Sequence, residues 1–180
     1  MVKQEIKLEN KKIKVGILGG SFDPAHKGHL AISKEAKKRF KLKKVIWAIT
    51  KKNPFKIESK KSVLVRINYC KKIIGTSSFI KVKFYENIIK SNKTINLINH
   101  LKKDKNIEIY FLMGADNLIH FHKWHKSELI SQKCNILVFD RHGYKKNSLK
   151  SKTFKQLSKA NLEFIEFNKV NISSSQLRKI

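Results

Sequence analysis

Short apolar runs that alternate with helical periodicity constrain this chain more than any other feature. Ile13–Leu18, Val45–Ile49, Ile107–Met113 and Ile136–Phe139 are rich in Val, Ile and Leu, and each is short. Unbroken apolar runs of this length suit strands covered on both faces. Phe79–Phe84 alternates apolar residues with lysine, which suits a less covered strand. Between the runs lie helix patterns. His29–Phe40 repeats Ile32, Ala36 and Phe40 at four-residue spacing, and Ser62–Ile74 sets Val63, Ile67, Cys70 and Ile74 on one face. Thr94–Lys102 is a third helix. This βαβα order predicts an α/β fold: a doubly wound, mostly parallel sheet with helices on both faces. A single domain is expected over residues 13–180, behind a basic, solvated tail at 1–12. Lys51–Lys61 and Arg141–Ser151 read as loops.

In such a sheet, ligands bind beyond the carboxyl ends of the strands, and the loop after the first strand falls there. It runs Gly19-Gly-Ser-Phe-Asp-Pro-Ala-His-Lys-Gly-His29. Glycine lets a backbone approach a phosphate closely, and a helix start offers unpaired N–H groups to an anion. Two imidazoles three residues apart, His26 and His29, add donors suited to the charge that builds during phosphoryl transfer. Their alternative role is a turn residue or a helix cap. Asp23 reads as a local cap. The loop matches neither the Walker pattern nor the dinucleotide fingerprint. At the other end of the chain, Ser173, Ser174 and Ser175 stand at a helix start ahead of Arg178. Helix capping is the plain reading. The functional one adds hydroxyls, N–H groups and a guanidinium around a phosphate.

The charge needs a separate account. Lys and Arg number 41 against 13 Asp and Glu, a net +28. Such a field attracts polyanions. Only Arg39, Arg66, Arg141 and Arg178 carry guanidinium groups, however, and base reading and bidentate phosphate binding favour Arg over Lys. The surplus therefore reads as solvated lysine, with no specific nucleic-acid partner. No run approaches the ~18 apolar residues of a membrane span. Met1–Lys12 lacks the apolar segment of a secretory signal. Cys70 and Cys134 are isolated, as expected of buried thiols in a reducing, cytoplasmic setting. His120, His122 and His125 fit no ligand spacing and lack a completing Cys or carboxylate, so no protein metal site is expected.

The two phosphate motifs together resemble the nucleotidylyltransferase superfamily, whose Rossmann-like fold agrees with the strand and helix order. Met113-Gly-Ala-Asp-Asn-Leu-Ile-His-Phe-His-Lys-Trp124 narrows the resemblance to the bacterial nicotinate-nucleotide adenylyltransferase family, as do Arg141-His-Gly-Tyr144, Asn53-Pro-Phe-Lys56 and Thr94. The resemblance implies adenylyl transfer from ATP, with Mg²⁺, to nicotinate mononucleotide, giving deamido-NAD and pyrophosphate. It implies that Ser21, His26, His29, Ser173, Ser174, Ser175 and Arg178 meet ATP phosphates. The backbone of Gly19, Gly20, Ser21 and Phe22 would line the nucleotide, and Lys56 would reach a phosphate. Thr94, Asp116, Trp124 and His125 would hold the mononucleotide, with Trp124 stacking on the pyridinium ring. Core packing for Trp124 and a helix cap for Asp116 are the structural alternatives. The chain departs from the family pattern at Lys93, where Tyr is common, and at His142, where Pro is usual. A homo-oligomer is compatible with this reading. The competing functions are pantetheine-phosphate adenylyltransferase and, from another class, a basic nucleic-acid-binding protein on the same fold.

Overall fold

A computed structural model describes residues 12–52, 59–157 and 161–166. The chain runs β1 (Ile13–Gly20), α1 (Lys27–Phe40), β2 (Lys44–Ile49), α2 (Val63–Ile74), β3 (Ile80–Lys83), α3 (Glu86–Ile89), α4 (Thr94–Leu101) and β4 (Ile107–Gly114). It continues with α5 (Ala115–Leu118), a 3₁₀ turn (Phe121–Lys123), α6 (Ser127–Lys133), β5 (Asn135–Phe139), α7 (Lys145–Leu149), α8 (Lys152–Leu157) and β6 (Leu162–Ile165).

The strands form one six-stranded sheet in the order β3-β2-β1-β4-β5-β6. Every pairing among the described residues is parallel, beyond the mostly parallel sheet expected from sequence. The order reverses between β1 and β4, whose register sets Ile17 beside Phe111 and Leu18 beside Leu112. At such a switch point the loops leave in opposite directions and open a crevice.

Side-chain alternation along the buried strands divides the core into two layers. Val15 and Ile17 face one layer with Ile109, Phe111, Met113, Ile136 and Val138, covered by α4, α5 and α6. Leu18, Val45, Trp47, Leu112, Leu137 and Phe139 face the other, covered by α1 and α2. Helices therefore lie on both faces, as the sequence implied. Cys70 and Cys134 are buried, one in each layer.

Three departures from the sequence reading have physical causes. The first helix starts at Lys27, two residues earlier than expected, because His26 caps it. Arg141–Ser151 is not wholly a loop, since α7 occupies Lys145–Leu149. That helix is a little over one turn, too short to show a periodicity. The edge strand β6 was not anticipated; its four residues, Leu-Glu-Phe-Ile, alternate too briefly to stand out. Of the sequence expectations, the 1–12 tail bears on the described residues only at Lys12, and Lys51–Lys61 only at residues 51–52 and 59–61. Among the described residues no helix is long and apolar enough to cross a membrane.

Candidate active site

The loop after β1 is held by its own aromatic and imidazole rings. Trp47 of β2 is fully buried and stacks on Phe22, with ring centres 5.1 Å apart and planes 16° apart. Phe22 packs against His29 at 4.8 Å, and His29 against His26 at 3.8 Å. The Trp47 indole donates to Ser33 Oγ at 2.8 Å, and Ser33 Oγ donates to the His29 carbonyl at 2.8 Å. A buried indole needs such a partner, and here the partner also ties α1 to the floor of the loop. Burying a large aromatic contributes ~1.5–3 kcal/mol, so this floor is a stable platform.

The capping and functional readings of the two histidines turn out to be compatible. His26 Nδ1 accepts the Gly28 N–H at 3.2 Å, and His29 Nδ1 accepts the His26 N–H at 3.1 Å. This is a reciprocal capping box, built from two imidazoles in place of the common Ser and Glu. An Nδ1 that accepts carries no proton, so each neutral ring bears its proton on Nε2. The cap thereby sets the tautomer in which Nε2–H is a donor. Both rings sit at the N-terminus of a 14-residue helix, where the dipole favours an anion.

Other sequence-selected residues gather at the same edge of the sheet. Gly19 is exposed at the end of β1, and among the described residues a Cβ built there would meet only the Phe111 ring, at 3.7 Å. Its own packing does not demand glycine, which fits a backbone approached by something outside the protein. Asp23 is 2% exposed and accepts the Lys60 N–H at 2.8 Å. This bond fastens the loop to a segment 37 residues away, a tie that the local cap expected from sequence did not include.

Across the switch point, β4 delivers Gly114 and Asp116. A Cβ on Gly114 would lie 2.6 Å from Asp116 Oδ1, so any other residue there would force this carboxylate to shift. Asp116 stands in the first turn of α5, and its Oδ2 pairs with Arg141 Nη1 at 2.6 Å. The ion pair joins the Met113–Trp124 block to the Arg141–Tyr144 loop, and the guanidinium also lies 5.6 Å from the Tyr144 ring centre. Trp124 is half-buried, edge-on to Phe111 at 6.0 Å and tilted against Phe121 at 5.2 Å, so core packing explains part of it. Thr94 opens α4, and His125 is exposed just after Trp124. The His122 backbone N–H donates to Thr153 Oγ1 at 3.2 Å, and its ring Nδ1 lies 3.4 Å from the same hydroxyl. Among the described residues no group of three or more His, Cys, Asp or Glu could hold a metal ion. Lys56, Ser173, Ser174, Ser175 and Arg178 lie outside the described residues.

Sequence reasoning passed over Arg66, Trp47 and Ser33. Arg66 is buried on α2, and its guanidinium meets backbone carbonyls of the loop after β1 and the end of β2. The signal was available, because position 66 falls on the same helical face as Val63 and Cys70. A charged residue on an apolar face needs a partner.

Three comparisons bear on this geometry. Residues 17–180 match the cytidylyltransferase-like family. A protein of Pelagibacter ubique, named a probable nicotinate-nucleotide adenylyltransferase, is 66% identical over 180 residues, covering all of both chains. The chain belongs to the nicotinate-nucleotide adenylyltransferase family. A Clostridium botulinum member of that name is 36% identical over 169 residues, 91% of this chain and 84% of its own. The fold agrees as well. A Plasmodium falciparum nicotinic acid mononucleotide adenylyltransferase, solved with NaAD, superposes with a TM-score of 0.77 at 23% identity, covering 92% of this chain and 82% of that one. The chain is thus a nucleotidyltransferase.

Proposed function

We propose that this enzyme transfers the adenylyl group of ATP to nicotinate mononucleotide, releasing pyrophosphate and forming deamido-NAD. The mononucleotide phosphate oxygen attacks the α-phosphorus of ATP, and the bond to the bridging oxygen of pyrophosphate breaks. No covalent enzyme intermediate is needed, so positioning and charge stabilisation supply the catalysis. The observation that carries this reading is the imidazole capping box. It presents two Nε2–H donors at a helix start, at the switch point, on a buried aromatic floor.

In this scheme His26 and His29 donate to phosphate oxygens as negative charge shifts toward the leaving pyrophosphate. Gly19, Gly20, Ser21 and Phe22 line the nucleotide. Lys56, Ser173, Ser174, Ser175 and Arg178 complete the phosphate contacts, on the strength of the family resemblance alone. Thr94, Asp116, Trp124 and His125 receive the mononucleotide on the β4 side. Mg²⁺ prefers oxygen ligands and keeps part of its water shell. The described residues form no carboxylate cluster for it, so it would arrive on the ATP phosphates as part of the substrate, where it would neutralise phosphate charge.

The test is pyrophosphate release from ATP with three acceptors: nicotinate mononucleotide, nicotinamide mononucleotide and phosphopantetheine. Clear preference for the first is expected. Equal or better use of phosphopantetheine would sink the assignment.

A further inference from the structure

Resting on that reading, we infer that Arg66 is a positioning residue for the ATP side of the site, acting by fixing the backbone of the phosphate loop. The side chain is buried, at 2% exposure. Its guanidinium is spent on carbonyl oxygens. Nε donates to Lys61 O at 3.0 Å, Nη1 to Ser21 O at 2.5 Å and to Thr50 O at 2.8 Å, and Nη2 to Lys51 O at 3.3 Å. Three separate stretches therefore converge on one planar group: the loop after β1, the end of β2 and the turn before α2. A guanidinium holds five N–H donors in a fixed fork, whereas an ammonium offers three from a single point.

Peptide geometry turns this clamp into a statement about ligand binding. In a planar trans peptide the C=O and the next N–H point in opposite directions. With Ser21 O drawn toward Arg66, the Phe22 N–H is directed away from it. Phe22 has φ 50°, a backbone setting that a bulky residue adopts only when its surroundings impose it. Arg66 holds this turn from the Ser21 carbonyl, and the Trp47 stack holds it from the Phe22 ring. A second tie runs through Thr50, whose N–H donates to Gly20 O at 2.9 Å while its own carbonyl accepts from Arg66. Glu86 holds the same strand end from the other side, accepting from Thr50 Oγ1 at 2.5 Å and from the Lys51 N–H at 3.1 Å. Burial pushes the guanidinium down from its usual range, and the carboxylates of Asp23 and Glu86 oppose that shift.

The experiment compares wild type with Arg66→Lys and Arg66→Gln, measuring both KM values, kcat and the calorimetric Kd of ATP, with thermal unfolding alongside. In folded Arg66→Lys, the KM and Kd for ATP should rise tenfold or more and kcat should fall. The KM for nicotinate mononucleotide should stay within twofold. A merely structural arginine would lower the active fraction and leave both KM values of that fraction unchanged, and this result would overturn the inference. So would ATP affinity within twofold of wild type, an equal rise in both KM values, or failure of both variants to fold. A wild type that releases no pyrophosphate from the two substrates would defeat the proposed function instead, and the ATP Kd would still read out Arg66.

Discussion

The two sides of the β1–β4 crevice are built differently. On the β1 side, a 14-residue helix, a buried indole, two capping imidazoles and a buried arginine fix one short loop. On the β4 side, Asp116 sits on a four-residue helix, Trp124 and His125 follow a three-residue turn, Thr94 opens an eight-residue helix, and a partly exposed Arg141–Asp116 pair ties the block to the next loop. The contrast follows from the reaction. The α-phosphorus must be met by donors already in place, because reorganising them at the moment of reaction would cost rate. The acceptor's far end needs to be recognised, and that tolerates a softer frame.

The largest expected break is on the rigid side. His29→Ala should lower kcat/KM by about 10²–10³-fold, as loss of one preorganised donor does. Loss of its share of the cap should cost about 1 kcal/mol of stability. Steady-state kinetics beside chemical denaturation checks both, and a large stability loss with turnover of the folded fraction intact would contradict the assignment. Next comes Gly114→Ala. Its Cβ would intrude on Asp116 Oδ1, and the displaced carboxylate should raise the KM for nicotinate mononucleotide about tenfold while the KM for ATP holds. A rise in the ATP KM instead would erase the division between the two sides. Arg141→Ala should change the mononucleotide KM by about fivefold or less, in keeping with a partly exposed pair. The smallest effect concerns the thiols. Burial pushes Cys70 and Cys134 up to about 12, so at pH 8 both stay protonated and unreactive. A disulfide-exchange reagent should titrate them only after denaturation, and rapid reaction of either in the native enzyme would show that its layer of the core opens.

How much of this was readable in advance differs between the same two sides. The buried strands announced themselves as β-branched apolar runs, and the glycine–histidine loop marked the first half of the crevice. The geometry of that loop was not readable. That His26 starts the helix, and that capping uses Nδ1 of both rings, depends on orientation rather than spacing. Arg66 was hidden because its partners are carbonyls, which any residue supplies and no motif records. On the β4 side, α5, the 3₁₀ turn and α7 are too short for periodicity. Asp116 was singled out through the family resemblance, but its pairing with Arg141 bridges 25 residues that only the fold brings together.

The capping box has a consequence for anyone who would engineer this enzyme. Helix starts are a standard target for raising thermal tolerance, and Ser with Glu three residues on is the usual prescription. Replacing His26 and His29 in that way would keep α1 properly begun and would remove both ring donors in one stroke. With the roles proposed for these rings, selection for heat resistance and selection for turnover compete for the same two positions, and thermostable variants of this chain are better sought elsewhere on its surface.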